Sequence, residues 1–336
     1  MNLTCTHCGA FHWMAERVTA SSRVNPVFTN CCKKGDVVLQ HLRPPPAYLH
    51  YLLTSLDAQA KHFRTEIRKY NSALAFTSIK YIMDERLKHA ISGIQCFQIH
   101  GELFHLQGPL QGVDSRAAQF AQLYFYDPEF ATEIRANRYN GALQSSVLRQ
   151  ITEELMICNP FIGIYKSAKE RLDITTPNEQ MLRIILNPQL KLIVEYGADK
   201  RQANLPTSQE IAIIIPDEYT DAGCRDIVLA ERNSNAFTTI NPNNAAYMPL
   251  HYVLLFPYGE HGWHWALQLR NEDGRRQRTR LSQRTYYRFC LHVRLNEPTT
   301  LFCAQHLFQQ FIVDAWAICD QNKLTWLRSN QASLFE

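Results

Sequence analysis

Apolar residues near the C-terminus recur at helical spacing. Beyond Pro298, either Thr299 or Thr300 can cap a helix, because a threonine hydroxyl accepts a hydrogen bond from a free amide of the first turn. The apolar positions that follow come at steps of three and four residues: Leu301, Ala304, Phe308, Phe311, Ala315 and Ile318. The spacing predicts a C-terminal amphipathic helix with one face packed on a core.

The rest of the chain mixes helical and strand patterns. Helical spacing runs over residues 48–56, 67–76 and 142–172, the last with a break at Asn159-Pro160. Strand patterns cover residues 94–106, 121–126, 211–215, 227–229 and 286–291. In the last of these, Tyr286, Arg288 and Cys290 would face one side, and Tyr287, Phe289 and Leu291 the other. Because no regular βαβ repeat connects these elements, the sequence predicts an α+β fold.

Composition is that of a folded protein. The 336 residues are 46% hydrophobic and 20% charged. The longest apolar runs, at 211–215 and 252–256, are far shorter than the roughly 18 residues that span a bilayer, and residues 1–30 have no signal-peptide core. We therefore expect a soluble intracellular protein, and its ten cysteines suit metal ligands and reduced core residues better than a disulfide framework.

The N-terminal cysteines have the spacing of a metal site. Residues 1–46 form a cysteine-rich segment that ends at the extended Pro44-Pro45-Pro46 run. It contains a Cys5-x2-Cys8 knuckle and the adjacent pair Cys31-Cys32. Four thiolates suit tetrahedral zinc, and the sequence predicts a small zinc-knuckle module. Because neighbouring side chains tend to diverge, one of the adjacent cysteines could be replaced as a ligand by His7 or His12.

Positive charge is concentrated near the C-terminus. The formal net charge is only +4, yet eight arginines lie between Arg270 and Arg294 against two acidic residues. Bases can stack on aromatic rings while guanidinium groups bind phosphates, which favours single-stranded DNA as the partner. The predicted nucleic-acid-binding residues are Lys33, Lys34, Arg275, Arg276, Arg278, Arg280, Arg284, Tyr286, Tyr287 and Arg288. The alternatives are a solvated charged loop and a nuclear import signal.

Several motifs resemble those of Helitron rolling-circle transposases. These are the apolar run that closes on Phe256-Pro-Tyr-Gly259, the tyrosine pair Tyr286-Tyr287, and the helix with Gln309-Gln310 and Asp314-Ala-Trp316. The cysteine spacing and residues 66–71 with 76–78 are similar to the N-terminal region of the same family. The resemblance implies an α+β region over 47–248, a Phe-Pro-Tyr-Gly segment with a basic loop over 249–285, and the leading, truncated piece of the helicase-like domain over 286–336.

The family's catalytic motifs are missing from this sequence. It contains no His-x-His triplet, and no glycine-rich loop ends in Gly-Lys-Ser/Thr. We therefore expect a non-catalytic N-terminal fragment that binds DNA in the nucleus and has no membrane role, without catalytic tyrosines at Tyr286 and Tyr287. Cys290 with His292, and Cys303 with His306, lack a third group and are predicted to be core pairs. The alternatives are a protein–protein interaction module and a free-standing enzyme with an unrecognised site.

Overall fold

The proline run at residues 44–46 coincides with a division of the fold. The computed structural model describes residues 1–83, 99–108, 118, 120–174, 182–186, 192–196, 226–230, 238–265, 267–270, 280–295 and 297–331. Residues 46–262 form one compact unit, here the central unit, and residues 1–45 pack with residues 263–336 in a second, the terminal unit. The sequence interpretation had kept the two ends of the chain in separate segments.

Three short helices open the central unit: α1 (Ala47–Thr54), α2 (Ala58–Thr65) and α3 (Ile67–Leu74). The Asp57 carboxylate caps α2 by accepting a hydrogen bond from the Ala60 amide at 3.0 Å. Leu52, Phe63 and Tyr70 are fully buried on these helices. The helical spacing predicted over 48–56 and 67–76 is thereby confirmed, although α1 ends at Thr54.

The three longer helices of the central unit are α4 (Pro128–Asn137), α5 (Ser145–Cys158) and α6 (Pro160–Ile174). Asn159 has an extended backbone between α5 and α6, and its side-chain oxygen accepts a hydrogen bond from the Phe161 amide at 3.0 Å. Proline fits the first turn of a helix because its missing N–H has no partner there in any case. The predicted break at Asn159-Pro160 is therefore confirmed.

Two small antiparallel sheets complete the central unit. The first has the order β3 (Thr77–Met83), β4 (Ile99–Gln107) and β8 (Thr238–Thr239), with Thr77 opposite Gln107. The second has the order β6 (Leu192–Tyr196), β5 (Leu182–Leu186) and β7 (Asp226–Ala230). Strands were predicted over 94–106 and 227–229, and β4 and β7 cover their described parts. The strand predicted over 211–215 and residues 94–98 lie outside the described residues.

The strand predicted over residues 121–126 is wrong. The chain forms a 3-10 helix from Phe120 to Tyr124. Leu123 and Tyr124 are buried, and the Tyr124 hydroxyl donates to the Leu74 carbonyl at 2.7 Å. A short apolar run can be buried in a tight helical turn as readily as in a strand, and periodicity alone does not separate the two.

The terminal unit begins with a two-stranded pair, β1 (Leu3–Thr4) and β2 (Phe11–His12). Its C-terminal part contains α8 (Gln283–Cys290), which replaces the strand predicted over 286–291, so that prediction is wrong. The Ser282 hydroxyl caps this helix by accepting from the Thr285 amide at 3.3 Å. Gln283 and Tyr287, one turn apart, are both buried. Residues 286–291 are so few that the alternating pattern of a strand and the spacing of a helix both fit them.

Helices α9 (Thr300–Cys303) and α10 (Gln305–Ser329) follow α8 in the terminal unit. Leu307, Phe311, Ala315 and Ile318 are buried along α10, together with Asp314. None of the residues of α10 beyond Ile318 is buried. The chain is helical here as predicted, but the amphipathic character of the helix remains a prediction.

Mixed helices and small antiparallel sheets agree with the predicted α+β class. One five-residue helix, α7 (Tyr247–His251), precedes the Phe-Pro-Tyr-Gly segment. Across the ranges described above, we find no helix with the length and apolar character needed to cross a membrane.

Candidate metal centre and basic surface

Four cysteine side chains meet at the N-terminal end of the terminal unit. The Sγ atoms of Cys5, Cys8, Cys31 and Cys32 all lie within 4.8 Å of one another. The Sγ of Cys32 is 3.7 Å from that of Cys5 and 3.8 Å from that of Cys31. Cys31 and Cys32 are fully buried and Cys5 is 4% exposed. Both adjacent cysteines therefore belong to one cluster.

The spacing of the sulfur atoms fits a shared tetrahedral metal ion. A zinc–sulfur bond of about 2.3 Å places two thiolates of a tetrahedral site about 3.8 Å apart. The separations of Cys32 from its two nearest sulfurs match this value. A disulfide would require about 2.05 Å, and all four cysteines are free. The four-sulfur donor set is also the one that soft or borderline metals prefer.

A tight turn brings the first two cysteines to one point. The Cys5 amide donates to the Ala10 carbonyl at 2.8 Å, and the Gly9 amide donates to the Cys5 carbonyl at 2.9 Å. Gly9 has a φ of 68°, a left-handed conformation that glycine adopts without a Cβ penalty. These bonds close the chain around Cys8, so that both sulfurs of the knuckle point to the same side.

A second turn, over residues 30–36, positions Cys31 and Cys32. Lys33, Lys34 and Gly35 have φ values of 49°, 60° and 93°. This left-handed run turns the chain so that the Gly35 amide donates to the Cys32 sulfur at 3.2 Å. The amide–sulfur bond fixes the position of the Cys32 sulfur within the turn. The two lysines follow the cysteines directly and are both exposed.

The contacts between the cysteines shift their pKa values in opposite directions. Hydrogen bonding with Cys31, and then with Cys32, lowers the pKa of Cys5 and brings the pKa of Cys8 to about 6. Hydrogen bonding with Cys32 raises the pKa of Cys31 above its ordinary value. The cluster therefore keeps thiolate character on the first knuckle near neutral pH, and thiolate is the form that binds metal.

Neither histidine considered as a substitute ligand belongs to the cysteine cluster. His12 is fully buried, stacks on Phe28 with ring centroids 4.1 Å apart, and places its Nδ1 2.8 Å from the Glu16 carboxylate. His7 is exposed and lies against Gly35, where an added Cβ would come within 3.1 Å of the His7 Nδ1. Among the described residues, the only group of metal-ligating side chains is the four cysteines.

The cysteine cluster packs on residues from the other end of the chain. One apolar core contains Cys5, Cys31 and Cys32 together with Leu269 and Phe289, and Tyr286 packs against it. Phe289 lies on α8, so the helix with the tyrosine pair rests on the cysteine-bearing turns. Backbone bonds reinforce this contact, because the Phe11 amide donates to the Val293 carbonyl at 2.9 Å.

Five of the basic residues predicted to bind DNA are described, and Arg288 among them contacts the cysteine-bearing segment. Lys33, Lys34, Arg280 and Arg284 are exposed, and Arg288 is half-buried. The Nη2 of Arg288 donates to the Asn30 side-chain oxygen, next to Cys31. Arg284 and Arg288 lie one turn apart on α8 and share a face. The predicted DNA contacts Arg275, Arg276 and Arg278 lie outside the described residues.

The two tyrosines have different surroundings. Tyr286 is half-buried and packs against the cysteine-containing core. Tyr287 is 2% exposed and meets Phe311 edge to face, with ring centroids 6.0 Å apart. The ring of Tyr287 is thus covered by α10, which leaves Tyr286 as the tyrosine that solvent can reach. The alternate facing predicted for this pair on a strand gives way to neighbouring positions on a helix.

Residues 286–336 match the family model described as the Helitron helicase-like domain at N-terminus. The chain thus contains a Helitron helicase-like segment. The match begins within α8 and covers α9 and α10, and residues 1–285 lie outside it. No curated protein matches the chain.

Some residues that support the Helitron-like segment were not singled out from the sequence. Arg294 is 2% exposed, and its guanidinium donates to the carbonyls of Phe289 and His292 and to the Glu297 carboxylate at 2.7, 3.1 and 3.0 Å. Glu297 in turn accepts a hydrogen bond from the Leu42 amide at 3.3 Å. Arg294 is one of the eight arginines between residues 270 and 294, and the sequence does not distinguish it as buried. The one signal is Glu297, an acidic residue three positions further on, with which it could form an ion pair.

The two cysteine–histidine pairs also have structural surroundings. His292 bonds through Nδ1 to the Arg288 carbonyl at 2.6 Å, and His306 to the Gln309 side chain at 3.1 Å. Burial raises the pKa of the Cys290 thiol to about 12, which disfavours a nucleophilic thiolate. Neither histidine forms a hydrogen bond with its neighbouring cysteine in these contacts.

Proposed function

We propose that this chain is a DNA-binding portion of a Helitron-like transposase, with zinc held by its four N-terminal cysteines. It binds single-stranded DNA through the surface formed by Lys33, Lys34, Arg284, Tyr286 and Arg288, and it acts in the nucleus. The family match over residues 286–336 supports a transposase-related role and an association with nucleic acid. Strand preference and the identity of the metal are part of the proposal.

One observation carries the proposal: the Helitron-like segment packs on the cysteine cluster and presents basic side chains beside it. Phe289 contributes to the core that contains Cys31 and Cys32, while the exposed Arg284 and the half-buried Arg288 lie one turn apart on the same helix. The four cations Lys33, Lys34, Arg284 and Arg288 have no carboxylate partner among the described residues. Cations without a carboxylate partner, three of them exposed and Arg288 half-buried, suit a phosphate backbone, and the partly accessible ring of Tyr286 suits unstacked bases.

Zinc would have a structural role in this proposal. A site with four thiolate ligands has no open coordination position, so it closes a fold and does not activate water. Cys5, Cys8, Cys31 and Cys32 would hold the ion, and the backbone turns around them would be fixed by it. The metal therefore supplies folding free energy to a module too small for a large core of its own.

We propose further that these residues bind DNA without cutting it. A rolling-circle nuclease needs a metal-binding histidine pair near its tyrosine, and the sequence contains no His-x-His triplet. Tyr287 therefore acts in packing, and Tyr286 acts in base contact. Covalent attachment of an oligonucleotide to the purified chain in the presence of divalent cations would refute this part.

Salt dependence of DNA binding tests the proposed interface. For single-stranded DNA the slope of log K against log salt is about −0.7 per neutralised phosphate. The double variant Arg284→Ala/Arg288→Ala should bind a labelled oligonucleotide more weakly and show a slope smaller by about 1.4. Fluorescence anisotropy at several salt concentrations measures both quantities.

The matched control removes two exposed cations from the central unit. Lys61→Ala/Arg68→Ala changes the net charge equally and should keep the wild-type affinity and slope, since both residues are exposed on other helices. Equal loss in both double variants would mean that binding follows net charge alone. The rival role as a protein interaction module would appear as no measurable DNA binding by the wild-type chain at any salt concentration.

Metal content tests the cysteine site separately. Purified wild-type protein should contain about one zinc ion per chain, in line with a four-thiolate site. The variant Cys5→Ser/Cys8→Ser should lose it, whereas Cys303→Ser, at a cysteine outside the cluster, should retain it. Equal zinc content in the wild-type protein and the double variant would refute the assignment of a zinc site to these cysteines.

A further inference from the structure

We infer that occupancy of the cysteine cluster controls the basic surface of α8, so that nucleic-acid binding depends on the metal through the contact between Asn30 and Arg288. The inference rests on the proposed function for its ligand, a phosphodiester backbone. It goes further by making a metal site at one end of the chain a positioning device for a helix at the other end.

The first link is a side-chain bond next to a metal ligand. The Nη2 of Arg288 donates to the Asn30 Oδ1, and Asn30 immediately precedes Cys31. A metal bound to Cys31 fixes the backbone of that residue and hence the direction of the Asn30 side chain. Arg288 is thereby held in one position, which lowers the entropy that it loses when it binds a phosphate.

The second link is apolar packing directly behind Arg288. Phe289 is 4% exposed and shares a core with Cys5, Cys31 and Cys32. When these thiols bind a metal, their positions are fixed, and they give Phe289 on α8 a rigid surface to pack against. Without the ion, the four thiols have no equally strong interaction to hold them together, so the packing against Phe289 loosens.

The third link is backbone strain in the metal-bearing turn. Lys33 and Lys34 both have left-handed φ values, which cost roughly 1 kcal/mol or more each for residues other than glycine. The bonds that hold this conformation include the Gly35 amide to the Cys32 sulfur at 3.2 Å. Loss of the ion frees Cys32, and the strained turn then relaxes, which changes the positions of both lysines.

These links make one composite surface from two segments far apart in sequence. Lys33 and Lys34 follow the cysteine pair, and Arg284 and Arg288 share a face of α8. The Asn30 contact lies at the junction of the two groups. A DNA strand that crosses the junction would contact both, and its affinity would then depend on their relative position.

Hydrogen exchange measures the coupling without DNA. Amides of α8 should exchange more slowly in the zinc-loaded protein than after chelation. If chelation removes the packing against Phe289, the difference in exchange rate should be roughly tenfold or more. Helix α5 in the central unit is the internal control and should be unaffected. Equal protection of α8 with and without zinc overturns the inference, whatever the DNA result.

A double-mutant cycle tests the contact itself. In the zinc-loaded protein, Asn30→Ala should weaken binding of a single-stranded oligonucleotide by about threefold to tenfold, and it should have no further effect in an Arg288→Ala background. Asn25→Ala, at another exposed asparagine of the same module, is the matched control. An Asn30→Ala effect that persists in full without Arg288 overturns the proposed link.

The two proposals fail in distinguishable ways. If the zinc-loaded wild-type chain does not bind DNA, the proposed function fails and the surface has no nucleic-acid ligand. If it binds DNA equally well with and without zinc, only the metal dependence fails. Tryptophan emission, described below, shows whether each variant is folded and so separates a lost contact from a lost fold.

Discussion

Two arginines close together in sequence should differ strongly in their contribution to stability. Arg294 is 2% exposed and donates to two carbonyls and to the Glu297 carboxylate, with its guanidinium carbon 3.6 Å from the Phe289 ring centroid. Arg288 is half-buried and bonds through its side chain to Asn30. We predict that Arg294→Ala destabilises the terminal unit severely and that Arg288→Ala does not.

The magnitude follows from what the substitution leaves behind. Removal of Arg294 takes the guanidinium partner from the Glu297 carboxylate, whose side chain is 14% exposed, and takes a donor from the carbonyls of Phe289 and His292. Breaking a buried ion pair by removing one partner costs about 3–5 kcal/mol. Loss of an exposed side-chain contact such as that of Arg288 costs about 1 kcal/mol or less. Arg294→Lys keeps the charge but loses the planar guanidinium, so its loss in free energy of unfolding should lie between those of Arg294→Ala and Arg288→Ala.

Tryptophan fluorescence measures this unit alone. All five tryptophans lie in the terminal unit, namely Trp13, Trp263, Trp265, Trp316 and Trp326. With a urea dependence of about 2 kcal/mol per molar, Arg294→Ala should lower the midpoint by about 1.5–2.5 M and Arg288→Ala by at most about 0.5 M. Equal shifts for the two variants would refute the assignment of a buried structural role to Arg294.

Three further predictions concern the turn and the central unit. Gly35→Ala should weaken zinc binding in a chelator competition assay, because φ there is 93° and the new Cβ would lie 3.1 Å from the His7 Nδ1; normal affinity would show that the turn adapts. Asn71→Ala should destabilise the central unit by about 1–3 kcal/mol in urea unfolding followed by circular dichroism, because the buried Asn71 amide donates to the His251 carbonyl at 2.8 Å; a wild-type midpoint would contradict this. Burial and the neighbouring His105 hold the pKa of His251 well below 6.5 in the folded protein. The imidazole is therefore protonated in the unfolded chain before it is protonated in the folded one, so the central unit should lose stability as pH falls below about 6.5. His251→Gln should flatten this pH dependence, and an unchanged profile would count against it.

Local patterns in the sequence predicted much of the candidate site. The Cys5-x2-Cys8 knuckle and the Cys31-Cys32 pair indicated a four-thiolate cluster, and the structure brings all four together. Such motifs are readable because short turns fix the geometry within a few residues. The same reasoning explains why the helix break at Asn159 was predicted correctly, since proline restricts its immediate neighbours.

Contacts between distant segments could not be read from the sequence. Nothing in residues 1–45 indicates that their cysteines pack on Phe289 or that Asn30 bonds to Arg288. The strand predicted over 286–291 failed for a related reason. A stretch of six residues is too short to separate the two-residue period of a strand from the roughly 3.6-residue period of a helix. The contact of Tyr287 with Phe311 on α10, which is distant in sequence, favours the helix.

The core around the cysteines is small, so zinc bound there as proposed would add substantially to the stability of the terminal unit. Nine buried residues form this core, and three of them are cysteines of the cluster. A core of that size supplies limited hydrophobic free energy, and the left-handed Lys33 and Lys34 add a cost to the turn. Binding of zinc by four thiolates contributes about 10 kcal/mol or more in small metal modules, which exceeds that cost several times. If the four cysteines hold zinc as proposed, the position of Arg288 on α8 would depend on an ion bound by residues 5–32, because Asn30 and Phe289 connect that helix to the cysteine cluster.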